Sequence, residues 1–253
     1  VSLPADCYGA FARVYDRALG DLFMRGAASV LRALEAEYPT EPRTHLDVAC
    51  GTGLAMRYFA SRGWKTRGID ASYAMVSRAR LRGLDVLVGD IRSITLRAAF
   101  ERVTCLYDSL NHLLGRDDLS RAFASVASMM SESSLFWFDL NHPESYREIW
   151  AMAEPFESGD AVYQLEIETR YDEAANLATA RVRGWHADVG VRYTIDETHY
   201  QRAWERDEVV ELLREAGLET VDVFCFDPFA AKVFGGLEVK EMYVARRAIG
   251  ERR

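Results

Sequence analysis

The sequence predicts an α/β fold: a mainly parallel sheet covered by helices, carrying an antiparallel β insertion. Three observations predict it. Short apolar strands alternate with helical stretches between Thr44 and Leu140, a Gly-x-Gly turn follows the first of those strands, and strict two-residue alternation begins only after Pro143. The spacing of the first part fits right-handed βαβ crossovers, and the later alternation fits a half-exposed antiparallel strand.

Taken in order, residues 22–37 place Leu22, Phe23, Ala27, Val30, Leu31 and Leu34 on one helical face, and Pro39 and Pro42 end that helix. His45–Ala49 reads as a strand, Leu54–Ser61 as a helix, Thr66–Ile69 as a strand and Tyr73–Arg82 as a helix. Asp85–Val88 and Val103–Leu106 follow as strands, Leu119–Met130 as a helix and Ser134–Leu140 as a strand. In Val162–Tyr171, Tyr163, Leu165, Ile167, Thr169 and Tyr171 share one face, opposite Gln164, Glu166, Glu168 and Arg170. With Leu177–His186 and Val191–Gln201 this predicts a three-stranded insertion. A helix returns at Val209, Leu212, Leu213 and Ala216, with Asp207 and Glu208 in its first turn and Gly217 ending it. Strands at Glu219–Phe226 and Glu238–Ala245 close the domain.

Composition narrows the function. The 253 residues are 49% hydrophobic and 28% charged, enough for a sizeable core and too apolar for a disordered chain. The net charge of −8 opposes a role in binding a phosphate backbone, and no apolar run approaches the ~20 residues of a membrane helix. Cys7, Cys50, Cys105 and Cys225 are scattered, so neither a disulfide framework nor a zinc site is expected. The first twenty residues hold Asp6, Arg13, Asp16 and Arg17 without an apolar stretch, so no signal peptide is expected and the cytoplasm is the default.

The chemistry lies in His45-Leu-Asp-Val-Ala-Cys-Gly-Thr-Gly53. A strand runs into a glycine turn and a helix, so backbone amides face a ligand at a helix N-terminus. Met56 stands where a dinucleotide fingerprint needs its third glycine, which disfavours a nicotinamide-dependent oxidoreductase. Asp70 ends the second strand, where a carboxylate can accept both ribose hydroxyls, and Asp90 ends the third. Three consecutive strand ends thus carry Gly-x-Gly, Asp and Asp.

These segments together (DVACGTG, GIDAS, AMVSRAR, VGDIR and CLYDSLNHLL) resemble a class I S-adenosylmethionine-dependent methyltransferase of the small-molecule, sugar N-methyltransferase-like kind. The resemblance covers residues 8–140 and resumes at Trp204–Gly217 and the last two strands. It implies a Rossmann-like seven-stranded sheet with an antiparallel last strand, and S-adenosyl-L-methionine as methyl donor, leaving S-adenosyl-L-homocysteine. It also implies that Ala49, Gly51 and Gly53 lie under the methionine part and that Asp70, with Ala71, holds the ribose. Asp90 and the Ile91 amide would read the adenine, with Met75 and Leu106 packed nearby. Tyr8, Phe11, Tyr15 and Asp16 resemble a lid over the donor, and Tyr15 reads equally as a donor contact or as part of an amphipathic helix. The implied division is an N-terminal helical lid (1–43), a core (44–142 and 204–253) and a β-rich insertion (143–203) covering the acceptor pocket. Ala49 and Cys50 depart from the glycine and variable residue common in the family.

Tyr107–His112 follows the fourth strand, where this architecture places its acceptor pocket. His112 is the candidate catalytic base, and a histidine bonded to backbone at a helix start is the equal alternative. Tyr8, Tyr107, Asn111, His142 and Tyr146 are candidates for the pocket wall. Asp47 reads equally as a ligand contact or as a group orienting the loop through backbone amides, and Cys50 reads as a small apolar filler. No carboxylate cluster suits Mg²⁺, so no metal is expected. The expected reaction is in-line transfer of a methyl group to an amine or hydroxyl of a small molecule, such as an amino sugar or secondary metabolite. A protein or peptide acceptor, or a non-catalytic donor-binding protein, are the alternatives. No nucleic acid or membrane partner is expected, and both monomer and homodimer stay open.

Overall fold

A computed structural model describes residues 8–41, 43–94, 96–151, 154–227 and 239–248. The N-terminal segment departs from the expected amphipathic helix. Tyr8 has φ 63°, Phe11–Arg13 form a 3₁₀ turn and Asp16–Gly20 a π turn, and only then does the regular helix α1 (Asp21–Glu37) begin. The segment has two surfaces to satisfy. Phe11, Val14 and Ala18 pack on the insertion, while Tyr8 and Tyr15 line a cavity on the core, and a uniform helix does not present both sets.

The core then runs β1 (Thr44–Val48), α2 (Leu54–Ala60), β2 (Lys65–Asp70), α3 (Tyr73–Arg80), β3 (Val86–Val88) and β4 (Phe100–Cys105). A 3₁₀ turn (Ser109–His112) leads to α4 (Arg116–Ser128) and β5 (Met130–Asn141). A single helical turn α5 (Pro143–Ser145) and a π turn (Tyr146–Trp150) connect to the insertion strands β6 (Phe156–Gly159), β7 (Tyr163–Asp172), β8 (Leu177–Asp188) and β9 (Val191–Gln201). The chain returns through α6 (Arg206–Glu215), β10 (Leu218–Phe226) and β11 (Lys240–Arg247). Glu238, expected within the last strand, lies outside the described residues.

The main sheet has seven strands in the order β10-β11-β5-β4-β1-β2-β3. Its central pairs are parallel, and β11 runs antiparallel to both β5 and β10. Strand order reverses between β1 and β4, so their carboxyl ends open a crevice where open α/β sheets bind ligands. Two-residue alternation along β5 sorts its side chains. Phe136, Phe138 and Leu140 pack under α4 and α6, while Trp137 packs with Leu31 and Leu34 of α1 and Phe59 of α2.

The insertion is a separate antiparallel sheet, β6-β7-β8-β9, of four strands rather than three. Its extra strand, β6, is four residues long and mostly exposed, so Phe-Glu-Ser-Gly shows no alternation to read. The inner face (Tyr163, Leu165, Ile167, Val182, Ile195) covers Phe11, Val14 and Ala18. The N-terminal segment is thereby held between the insertion and the core.

Candidate active site

The crevice holds a cavity lined by the ends of four core strands and by Tyr8 and Tyr15. After β1, Ala49 and Gly51 both take positive φ (55° and 54°), and a Cβ on Gly51 would meet no atom within 4 Å. A side chain there would enter the cavity, so glycine leaves room for a ligand against the loop backbone. Gly53 (φ 85°) does different work: it does not line the cavity, and a Cβ on it would lie 2.2 Å from Leu84.

Met56 acquires a reason here. The close helix–strand approach usually made by a third glycine is made from β2, because a Cβ on Gly68 would sit 2.5 Å from Met56 Sδ and 2.7 Å from Cys50 Sγ. Cys50 is 7% exposed, and burial pushes its thiol up, so it is a packing group.

Asp70 joins two loops. Its carboxylate accepts the Gly51 amide at 2.7 Å and the Ser72 amide at 2.7 Å, and burial still raises its pKa. Ala71, Met75, Asp90 and Ile91 line the same wall. Asp90 also pairs with Arg92, whose Nε donates to Oδ1 at 2.9 Å and whose terminal nitrogen donates to Oδ2 at 2.5 Å, and these bonds hold it below the usual carboxylate range. Asp47 follows neither expectation. It is buried, accepts the Thr104 hydroxyl at 2.6 Å, and is pushed up to about 7 by burial.

After β4 the chain turns through Tyr107 (φ 65°) and Asp108 (φ 52°), two consecutive non-glycine residues in the left-handed region. Asp139 of β5 holds this turn by accepting the Tyr107 amide at 2.6 Å and the Asp108 amide at 3.1 Å. Lys240 of β11 ties both acids together, 2.7 Å from Asp139 and 2.5 Å from Asp108. Two hairpin positions aside, the positive-φ non-glycine residues among those described are Tyr8, Ala49, Tyr107 and Asp108, all in or beside the cavity.

His112 faces this cavity. Its Nδ1 lies 2.9 Å from the Tyr200 carbonyl oxygen, which can only accept, so Nδ1 carries the proton and Nε2 is the acceptor. The Tyr8 hydroxyl is 3.3 Å from Nε2. Burial pulls the His112 pKa down to about 4, with His199 and Lys240 adding to the effect and Asp108 opposing it. The ring is therefore neutral near pH 7.

The structure brings Tyr8, Tyr15, Ala49, Gly51, Asp70, Ala71, Met75, Asp90, Ile91, Tyr107 and His112 to one cavity. It does not bring Leu106, Asn111, His142 or Tyr146 there. Leu106 points to the α1–α2 side of the sheet with Trp137. Asn111 is buried between the Arg202 carbonyl (2.8 Å) and the Asn141 amide (3.0 Å), so it staples β5 to the end of β9. Tyr146 is fully buried, and its hydroxyl donates to Gln201 Oε1 at 2.7 Å. His142 caps the Glu144 amide at 3.3 Å and lies near Cys225 and Glu241, a trio whose donor atoms fall within 4.8 Å of one another. Arg206 already bonds Glu241 there at 2.6 Å, and Tyr243 donates to its other oxygen at 2.5 Å, so that carboxylate already has a cationic partner.

Sequence reasoning missed Asp139, Lys240, Gln201 and Thr52. An aspartate inside the apolar run Leu-Phe-Trp-Phe-Asp-Leu was a readable signal, since a buried charge needs a partner. Gln201 and Thr52 offered none.

Residues 46–133 match the family described as Methyltransferase domain. The dTDP-3-amino-3,6-dideoxy-alpha-D-glucopyranose N,N-dimethyltransferase of Streptomyces fradiae is 28% identical over 244 residues, covering 92% of each chain. With the glycine turn and strand-end acids converging on one cavity, this decides the class. The chain is a class I S-adenosylmethionine-dependent methyltransferase. Among solved structures, an S-adenosylmethionine-dependent methyltransferase of Clostridium acetobutylicum superposes with TM-score 0.76 at 22% identity, covering 96% of this methyltransferase and 100% of that chain. The S-adenosylmethionine-bound amino pentose methyltransferase CalS10 of Micromonospora echinaspora gives 0.72 at 22% identity, covering 96% and 98%. The methyl donor of this methyltransferase is S-adenosylmethionine, and the open approach over Gly51 and the acids around the cavity fit a cationic ligand.

Proposed function

We propose that this methyltransferase N-methylates an amino sugar by in-line displacement, with His112 as the base. The observation that carries the reading is the neutral His112 ring, whose acceptor nitrogen faces the cavity beside the Tyr8 hydroxyl. The relative from Streptomyces fradiae, covered over 92% of its length, is a sugar N,N-dimethyltransferase and supports the choice of acceptor.

S-adenosylmethionine supplies a methyl group already activated on a sulfonium. Gly51 and Ala49 would admit its methionine part, Asp70 would take the ribose hydroxyls, and Asp90 with the Ile91 amide would meet the adenine. Burial raises the pKa of the Tyr15 hydroxyl, and Asp108, Asp16, Asp70 and Asp139 add to it; that ring of acids favours a cation in the cavity over an anion. Tyr8 and Tyr15 exclude water from the line of transfer. The acceptor attacks as the free amine, and neutral His112 Nε2 is the site toward which its N–H is directed as the new N–C bond forms and the sulfonium C–S bond breaks.

The test uses methyl-labelled S-adenosylmethionine with a panel of nucleotide-linked amino sugars and with a host extract split by size. Label in an amino sugar, released by amine-specific degradation, is expected. Label confined to macromolecules would overturn the reading in favour of a protein or peptide acceptor. Donor binding without transfer to any acceptor would overturn the reading in favour of a non-catalytic donor-binding protein.

A further inference from the structure

The last two residues of β9 converge on the two nitrogens of His112. The Tyr200 carbonyl takes the Nδ1 proton at 2.9 Å, and the side-chain nitrogen of Gln201 lies 3.4 Å from Nε2. The orientation of the Gln201 amide is dictated by its partners. Its oxygen accepts from Tyr146 Oη at 2.7 Å and from Asn141 Nδ2 at 3.0 Å, and its nitrogen donates to Asp108 at 2.5 Å. A flipped amide would set its oxygen against the Asp108 carboxylate and its nitrogen against two donors. Gln201 is 4% exposed, so its amide is held by these partners rather than by water, while the His112–Tyr200 bond lies nearer the surface.

We propose that Gln201 is a positioning residue which, with the Tyr200 carbonyl, holds His112 in the Nδ1–H form with Nε2 as an acceptor. An amide N–H aimed at Nε2 favours a lone pair there and opposes a proton, because the imidazolium would place two donors face to face. The insertion thereby sets the charge state of the base as well as covering it. The other groups facing the ring act in known directions. Tyr8 donates to Nε2 from the N-terminal segment, and Asp108 on the β4 turn favours the imidazolium. His199 on β9 and Lys240 on β11 oppose it. Gln201 also ties up an Asp108 oxygen that would otherwise be free to favour the charged ring.

This inference rests on the assignment of His112 as the base, and its test separates the two. Nitrogen-labelled histidine in the full-length protein reports the tautomer and titration midpoint of His112 by NMR, with His112→Asn identifying the signal. The wild-type ring is expected in the Nδ1–H form, with a midpoint well below that of an ordinary histidine. Gln201→Glu replaces the donor by a carboxylate and is expected to raise the midpoint by at least one pH unit, a tenfold gain in proton affinity. Gln201→Met keeps the length, removes the donor, and is expected to raise it by less. The acid limb of the activity profile should move with the midpoint. An Nε2–H tautomer in the wild type overturns the proposal, and so does an unchanged midpoint in folded Gln201→Met or Gln201→Glu. The wild-type tautomer decides if neither variant folds. If the midpoints move as expected while His112→Ala turns over at the wild-type rate, the positioning role stands and the base assignment fails.

Discussion

Arg102 sits where a lone charge is costly. It is 1% exposed at the amino end of β4, with its guanidinium 3.3 Å from the centre of the Trp137 ring. One terminal nitrogen reaches Thr40 Oγ1 at 3.2 Å, while Nε and the other terminal nitrogen have no hydrogen-bond partner. No carboxylate pairs with it among the described residues, and burial pulls its pKa down to about 9. A buried cation without a counter-ion contributes less than an apolar group of its volume. Arg102→Met is therefore expected to be neutral or stabilising, by up to about 3 kcal/mol in urea denaturation. A loss of more than about 1 kcal/mol would show that the Trp137 contact outweighs desolvation. At the opposite end of the sheet, His112→Ala should lower kcat by about 10²–10⁴-fold, the usual contribution of a general base, with donor affinity by calorimetry nearly unchanged. His45 adds a pH dependence. It is buried, stacked on Phe59, and pulled down to about 3 by burial and by Arg102. Below about pH 6.5 the unfolded chain binds a proton that the folded chain refuses, so this group's share of stability is lost as pH falls from about 6.5 toward 3. His45→Phe should lose less stability over that window than the wild type, measured as the difference between their denaturation free energies at each pH. A parallel fall would place the proton elsewhere.

At the scale of elements, the junction of α2 and β2 is tightly packed beside the cavity. Gly68→Ala would drive a methyl group to 2.5 Å from Met56 Sδ and 2.7 Å from Cys50 Sγ. Met56 can give way, because it is the end of a flexible side chain, but Cys50 belongs to the loop itself. The variant should lose about 1–3 kcal/mol of stability and bind donor more weakly, read by thermal unfolding and calorimetry on one preparation. Unchanged donor affinity would show that the loop does not follow Cys50. This junction also shows what could be read beforehand. Met56 was visible as a missing glycine, but its compensation by Gly68 lies in the next strand and in no local pattern. Elements with strong periodicity (α1, α6 and β7) were legible, because burial of one face dominates them. β6 was not, since four mostly exposed residues carry no period. The turns of the N-terminal segment were not either, because two packing partners distant in sequence set their geometry. Among site residues, those on the strand ends after β1, β2 and β3 were readable from motif and spacing. Lys240, Asp139 and Gln201 meet Asp108 from three separate parts of the chain; the apolar run around Asp139 signals that it needs a partner, but which residues supply the pairing leaves no signature in a single sequence.

At the scale of the whole molecule, the N-terminal segment couples the insertion to the donor loop. On one side the Phe11 amide donates to Glu197 at 3.0 Å and Arg13 pairs with Asp188 at 3.1 Å, both on the insertion. On the other, Asp16 accepts the Thr52 hydroxyl at 2.5 Å and pairs with Arg82, which also bonds the Thr52 carbonyl at 2.9 Å. Tyr15, between these anchors, reaches the cavity. The two sides predict different consequences. Asp16→Ala breaks the link to the loop and leaves the insertion contacts in place, so donor affinity should fall about tenfold, the worth of one or two hydrogen bonds to a charged group. By linkage, a ligand that stabilises the wild type by about 2.7 kcal/mol at a hundred times its Kd should then stabilise the variant by about 1.4 kcal/mol less at the same concentration. Glu197→Ala acts on the other side. It leaves the Phe11 amide buried without its acceptor and should lower the stability of the free protein more than it weakens binding. Thermal unfolding of both variants with and without S-adenosylhomocysteine separates the effects. Wild-type stabilisation by ligand in Asp16→Ala would mean that the segment covers the donor without being latched to its loop. The coupling would then run only through the aromatic side chains of Tyr8 and Tyr15.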